Sequence, residues 1–350
     1  MSFSVLCVIR GKLGDTLAAF AAVQGLQVQH PDWQICVLTR SNYLPLLRHE
    51  TGIAVQGFEH RLDLYRRLVT WWVTGKRFDA LAVLWGFGPA IETIGHWVRA
   101  RRKIYFRATP SGLFDTTVDV PPAVQLVETP WHVLRALSPD LAKPTRLAQP
   151  GLRCHVQTLA QPGARAIAVV PVADEARRTL SISAVRMMIA HAQQHWPQHA
   201  IWLLLNPNDR FVGPMLGQSW PTGIEVKSFP SLDDLLRLYA QVDAVIGTDT
   251  GLYHLAAALS IPTTIFFGPT EPEKVVLDAQ GLVQPLRLAA LAGQHCEVKT
   301  CADPICIERI VAQFTGATEV AALDRAPVEC PLRGLVGITP PPTPPTPARA

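Results

Sequence analysis

The sequence predicts an α/β fold in which two doubly wound, Rossmann-like parallel sheets face each other across a cleft. Three observations carry that expectation. Short apolar runs alternate with helix-periodic segments along most of the chain, the pattern of parallel strands joined by right-handed helical crossovers. A stretch rich in proline and polar residues, 138–163, divides these alternations into two blocks. Hydrophobic residues fill 48% of the 350 positions and charged residues only 17%, which suits strands covered on both faces.

In chain order, the first block places strands at 5–10, 34–39, 80–84 and 104–106. The second places them at 166–171, 201–205, 224–229, 244–247 and 263–267. A chain of this length is comfortable for two domains, expected at 1–150 and 164–330. The segment 339–350, TPPPTPPTPARA, has almost nothing to bury and reads as a disordered tail.

Composition excludes several classes. No apolar run reaches the roughly 18 residues that a membrane span requires. The first apolar run lacks a preceding basic region, so it reads as a strand and not as a secretion signal. Seven cysteines, an odd number at low density, fit a reducing cytoplasm. A net charge of +4 permits an anionic partner. Nucleic acid is not expected, because the chain has no zinc-finger spacing, no RNA-binding aromatic signature and no sustained Lys/Arg helix.

The segment 243–274 carries the most chemistry. It reads strand, turn, helix, strand, with Gly-Thr-Asp-Thr-Gly at the turn. Backbone N–H groups of Thr250 and Gly251 at the helix start have no partner inside the helix, and such a terminus favours a phosphate. Asp249 can cap the helix or accept a sugar hydroxyl, and His254 can donate to the same ligand. Near the N-terminus, the strand at 5–10 leads through Gly11-Lys12-Leu13-Gly14-Asp15 into a helix. By itself Asp15 reads as a helix N-cap.

The order Asp249, Thr250, Gly251, His254, Ala257, Ala258, Pro262, Phe267, Gly268, Pro269, Thr270, Pro272 resembles the donor-site signature of glycosyltransferase family 9, the ADP-heptose:lipopolysaccharide heptosyltransferases. That signature runs roughly D-[ST]-G-x-x-H-x-x-A-A, then x-P, an apolar strand, and [FY]-G-P-[ST]-x-P. The resemblance implies a GT-B fold. It makes Asp15, in the Gly-Asp loop, the catalytic base. The loop after the strand at 166–171 is similar to the family's Lys-x-Trp-Pro segment, with Arg178, Leu180 and Ser181 at the Lys, Trp and Pro positions. Arginine keeps the charge but replaces a point charge by a fork. Asp174 in that loop departs from the family's small or hydroxyl residues, and a carboxylate there opposes a diphosphate. Cys296, Cys301 and Cys306, followed by Ile307 and Ile310, resemble a Cys-rich stretch of the family. A zinc site would need tighter pairs and a fourth ligand, for which His295 is awkwardly spaced, so no metal ligand is assigned.

The resemblance implies inverting transfer of a heptose from ADP-heptose to the inner core of lipopolysaccharide, without metal or other cofactor. Arg178, Asp249, Thr250, Gly251 and His254 are its donor-binding candidates. The partners implied are a nucleotide sugar and a lipid-linked core oligosaccharide. Residues 61–77 form an amphipathic helix with Trp71 and Trp72, and 97–107 adds further cations. Arg61, Arg66, Arg67, Arg101 and Arg102 are candidates for the acceptor or for peripheral contact with an anionic membrane, at the cytoplasmic face of the inner membrane. A transferase of the same fold with another nucleotide sugar, or a non-catalytic nucleotide-sugar-binding protein, would share most of these features.

Overall fold

Strand β1 (Ser4–Ile9), buried from Val5 onward, lies near the middle of a six-stranded parallel sheet. Its partners are β2 (Gln34–Arg40), β3 (Ile53–Phe58), β4 (Phe78–Trp85), β5 (Ala100–Tyr105) and β6 (Thr116–Thr117), in the order β3-β2-β1-β4-β5-β6. A second six-stranded sheet comprises β7 (Ala166–Val170), β8 (Ala200–Leu205), β9 (Ile224–Ser228), β10 (Val242–Thr248), β11 (Thr263–Phe267) and β12 (Val283–Arg287), in the order β12-β11-β10-β7-β8-β9. Every pairing within the sheets is parallel. This computed structural model describes residues 2–107, 112–121, 126–147, 149–163, 165–278, 280–288 and 305–317. The expected tail at 339–350, and Cys296 and Cys301, lie outside the described residues.

The helices are α1 (Leu13–Gln29), α2 (Leu44–Leu47), α3 (Arg61–Val73), α4 (Pro89–Trp97), α5 (Thr129–Arg135), α6 (Pro150–Thr158), α7 (Ile182–His195), α8 (Gly213–Leu216), α9 (Leu232–Tyr239), α10 (Gly251–Ala258), α11 (Pro272–Val275) and α12 (Ile305–Thr315). In α1, Leu17, Phe20, Val23 and Leu26 are fully buried. Burying each such side chain contributes about 1.5–3 kcal/mol. Helix α1 packs against α10 of the second sheet, and one apolar cluster runs from Leu17 and Phe20 to Leu255 and Ala256. The two sheets therefore share a core.

All nine expected strands are present, and the α/β, two-sheet GT-B architecture is the one the sequence implied. Strands β3, β6 and β12 were not anticipated. β6 is only two residues long, β3 is half-exposed in its middle, and β12 carries Pro285. Proline is tolerated there because, among the described residues, β12 is an edge strand paired only with β11. The connection at 138–163 contains α6, which starts at Pro150, where a missing N–H costs nothing. The expected helix at 61–77 ends at Val73, and the cationic stretch after Trp97 forms β5.

Each sheet reverses its winding once. The switch lies between β1 and β4 in the first sheet and between β7 and β10 in the second. Ligands of open α/β sheets bind at the carboxyl ends of strands flanking such a point.

Candidate functional site

Loops following these four strands meet across the gap between the sheets and line a cleft of about 980 Å³. Small-molecule sites commonly run about 300–1,000 Å³. Asp15 enters from the first turn of α1. Lys12 is the N-cap, and Asp15 stands three residues on, where its Oδ2 accepts the Lys12 backbone N–H at 2.9 Å. One carboxylate thus fixes the start of the helix and lines the cleft. Burial raises the Asp15 pKa above the ordinary 3.8, against the pull of Lys12 and the Trp85 side chain, and Asp174 adds to the rise. A carboxylate held this way is a stronger base than a free one. A β-carbon at Gly11 would lie 2.5 Å from both Asp15 Cβ and Trp85 Cδ1, so only glycine lets these side chains close over the loop.

From the other side comes the first turn of α10. Its N-cap, Thr250, has an extended backbone, and both Thr250 and Gly251 line the cleft. The leading N–H groups of a helix lack intrahelical partners and favour an anion. The two first turns touch directly. A β-carbon at Gly14 would sit 2.5 Å from His254 Cδ2, and one at Gly251 would sit 2.7 Å from Leu13 Cβ. His254 is buried and stacks on Tyr253 at 3.9 Å. Burial, reinforced by Arg178, lowers its pKa to about 3, so it is a neutral imidazole at physiological pH. Among the described residues its Nδ1 has no hydrogen-bond partner.

Arg178 ends a short 3-10 turn (Ala176–Arg178) after β7. Its Nη1 donates to Asp249 Oδ2 at 3.2 Å, and its Nη2 pairs with Glu175 Oε1 at 3.1 Å and with Asp174. Burial opposes the guanidinium charge, but Asp249, Asp174 and Glu175 outweigh it and raise the pKa. Asp174 reaches across the cleft to Lys12. Burial pushes the Asp174 pKa up, but Lys12 and Arg178 together hold it below the usual value. The sequence suggested a lone carboxylate in this loop, repelling an anion. Here that carboxylate is clasped by two cations.

Arg61 lies in an adjoining cavity of about 480 Å³, lined also by Arg10, Arg40 and His60. The cavity shares Ser41, Asn42 and Glu59 with the cleft. Partial burial, then Arg40 and Arg61, lower the Arg10 pKa, so the cluster is self-repelling. An anion between them would relieve that repulsion. Of the other basic candidates, Arg67 is tied to Gln56 Oε1 at 2.6 Å and the Gly57 carbonyl at 3.0 Å. Arg102 donates to the Ala136 carbonyl at 2.9 Å, and Arg101 lies 3.6 Å from Asp79. Arg66 is exposed. The five arginines therefore do not form one surface.

Asp15, Arg178, Asp249, Thr250, Gly251 and His254 all line one cleft. Lys12, Trp85, Arg10 and Arg40 also line these cavities and were not singled out from the sequence. Arg10 follows β1 and Arg40 ends β2, both at carboxyl ends of neighbouring parallel strands, and that register was the available signal. Among the described residues, no group of three His, Cys, Asp or Glu side chains could hold a metal ion. Cys306 lies on α12, and its Sγ would be 3.2 Å from a β-carbon at Gly268. No described helix is long and apolar enough to cross a membrane.

The family model for glycosyltransferase family 9 (heptosyltransferase) matches residues 114–302, a little over half of the chain. Part of the chain is similar to lipopolysaccharide heptosyltransferase 1 of Pseudomonas aeruginosa, 33% identical over 113 residues. That match covers 28% of this chain and 31% of the relative, less than a third of its length. The structure of E. coli heptosyltransferase WaaC with ADP is similar at a TM-score of 0.64 and 17% identity, covering 81% of this chain and 92% of that one. E. coli ADP-heptose lps heptosyltransferase II gives a TM-score of 0.66 at 18% identity, covering 89% of this chain and 99% of that one. At these identities the two structures speak for the fold.

Proposed function

The chain belongs to glycosyltransferase family 9, and we propose that it transfers a heptose from ADP-heptose to the inner core of lipopolysaccharide with inversion at the anomeric carbon. The observation that carries this reading is the contact between the first turns of α1 and α10, which sets a base from one sheet beside an anion-favouring helix terminus from the other.

In this reading the N-terminal half, 1–150, takes the acceptor and 164–330 takes the donor. Asp15 removes the proton from the acceptor hydroxyl as its oxygen bonds to the anomeric carbon. The bond from that carbon to the diphosphate oxygen breaks on the opposite face, and ADP leaves. Charge developing on the diphosphate is met by the N–H groups at Thr250 and Gly251 and by Lys12 and Arg178. Asp249 and His254 orient the sugar and phosphates, His254 as a neutral group. With fixed N–H groups and two cations in this role, no divalent metal is needed. The arginine pocket of Arg10, Arg40 and Arg61 takes an anionic group of the acceptor, a lipid-linked core sugar at the cytoplasmic face of the inner membrane.

The test is turnover of the purified protein with a panel of nucleotide sugars and truncated core acceptors, with and without EDTA. Product from ADP-heptose that persists in EDTA is expected. Turnover with a different nucleotide sugar alone would replace the donor assignment, and ADP binding without any turnover would make the protein a binding module. Activity lost in EDTA and restored by Mg²⁺ would transfer the electrophilic role to a metal.

A further inference from the structure

Helix α3 is apolar on two adjoining sides. Leu64, Leu68 and Trp71 face inward and are buried against the first sheet. Leu62, Tyr65, Val69, Trp72 and Val73 are 59, 42, 44, 52 and 71% exposed. At 100° per residue these five fall on one outward stripe. Half of the ten exposed large hydrophobic residues in the described structure thus lie on a single 13-residue helix. An amphipathic helix on a globular protein turns polar residues outward, so a contiguous outward apolar stripe marks an interaction site.

Cations frame the stripe. Arg66 borders it, and Lys76 and Arg77 follow the end of the helix, all three exposed. The Arg99 guanidinium lies 4.8 Å from the Trp72 ring. The only carboxylate of the segment 61–77, Asp63, is engaged by the His60 backbone N–H at 3.2 Å.

We propose that this face of α3 docks on an anionic lipid surface, with Tyr65 and Trp72 at headgroup depth and Leu62, Val69 and Val73 at the acyl boundary. Amphipathic aromatic rings favour that depth, and cations beside them favour anionic headgroups. A second copy fits less well. The helix is only about 20 Å long, and a stable interface needs about 800 Å² from each partner. A two-fold contact centred on the helix would also bring Arg66 close to its own copy. The start of α3, at His60 and Arg61, lines the arginine pocket. Docking would hold that pocket beside the bilayer, and in this sense it rests on the proposed transfer to a lipid-linked acceptor.

The full-length protein would be sedimented with vesicles of phosphatidylglycerol and phosphatidylcholine, and with phosphatidylcholine alone, at low and high salt. Binding to the anionic vesicles, weakened by salt, is expected. Val69→Ser with Trp72→Ser should lower it about tenfold or more. Lys76→Gln with Arg77→Gln should lower it roughly fivefold per cation. Val226→Ser, an exposed residue on β9, should leave it unchanged. All variants should keep wild-type ADP affinity and wild-type transfer to a lipid-free acceptor, which separates loss of docking from failure of the transferase reading. Absence of wild-type vesicle binding, or equal binding by the Val69/Trp72 variant, would overturn the proposal. So would a wild-type dimer in analytical ultracentrifugation that the same variant converts to monomer.

Discussion

Lys12, after β1, forms an ion pair with Asp174, after β7, so the two sheets are joined by opposite charges across the cleft. Asp174 also holds Arg178. A single carboxylate therefore occupies both cations assigned to the donor's diphosphate, and the donor must displace it to reach them.

Asp174→Asn should accordingly tighten ADP binding. Asp174 is 48% exposed, so the competition is screened. A gain of up to about 1 kcal/mol, roughly fivefold in Kd, is expected. Titration calorimetry of ADP against both proteins measures it. Weaker binding by the Asn variant would mean that the carboxylate helps to organise the site and does not compete for it.

Asp15→Asn keeps an acceptor for the Lys12 N–H but cannot take a proton. Loss of the general base should lower kcat by about 10²–10⁴ while ADP affinity stays near wild type. The raised pKa of Asp15 adds a second readout. The base works only when ionised, so kcat should fall as pH drops through a value above 3.8, and that acid limb should vanish in the variant. Normal turnover by Asp15→Asn would reduce this residue to its capping role.

Much of the cleft was legible in the sequence because its pieces are local. The Gly-Thr-Asp-Thr-Gly turn, the Gly-Asp loop and the Arg178 loop each follow an apolar strand, and parallel topology sends the ends of such strands to one edge. Partnerships across long sequence separations were not legible. Asp174 read as a repulsive charge because its partner Lys12 lies in the other block of the chain. Gly251 read only as a backbone N–H that favours a phosphate, whereas the structure also sets it against Leu13. The basic candidates were grouped by proximity in sequence, yet a helix and a strand send them to different places. Arg61 faces a pocket, Arg67 braces β3 through Gln56 and Gly57, and Arg102 caps a carbonyl at Ala136. Strand β12 escaped notice because edge pairing, a tertiary fact, excuses its proline.

Gly14→Ala tests whether the contact between the halves is as tight as it looks. The added methyl would lie 2.5 Å from His254 Cδ2, on a buried ring with little room to retreat. Overpacking of this kind costs about 1–3 kcal/mol. Urea unfolding should show that loss, and kcat should fall with it, because separating the two first turns moves Asp15 away from the α10 terminus. A stable, fully active Gly14→Ala would show that the halves can shift apart freely.

The buried histidines should make the fold acid-sensitive above the range where carboxylates titrate. Burial, then Arg178, holds His254 at about 3, and burial, then His195, holds His191 at about 4. Both are neutral in the folded chain, while an unfolded histidine takes a proton near pH 6.5. The unfolded state therefore binds more protons below pH 6.5, and stability falls as pH drops through that value and onward towards the folded pKa values. Each histidine contributes a slope approaching about 1.4 kcal/mol per pH unit in that window. Between pH 7 and 5 the ordinary carboxylates stay ionised, so the histidines dominate the change. Urea unfolding at these two pH values should show a lower midpoint at pH 5. Burial also lowers the pKa of His49 and of His132, so His191→Phe, which keeps an aromatic ring beside Phe314, should remove part of the difference. An undiminished pH dependence in that variant would mean that His191 is protonated in the folded protein, with solvent reaching its ring.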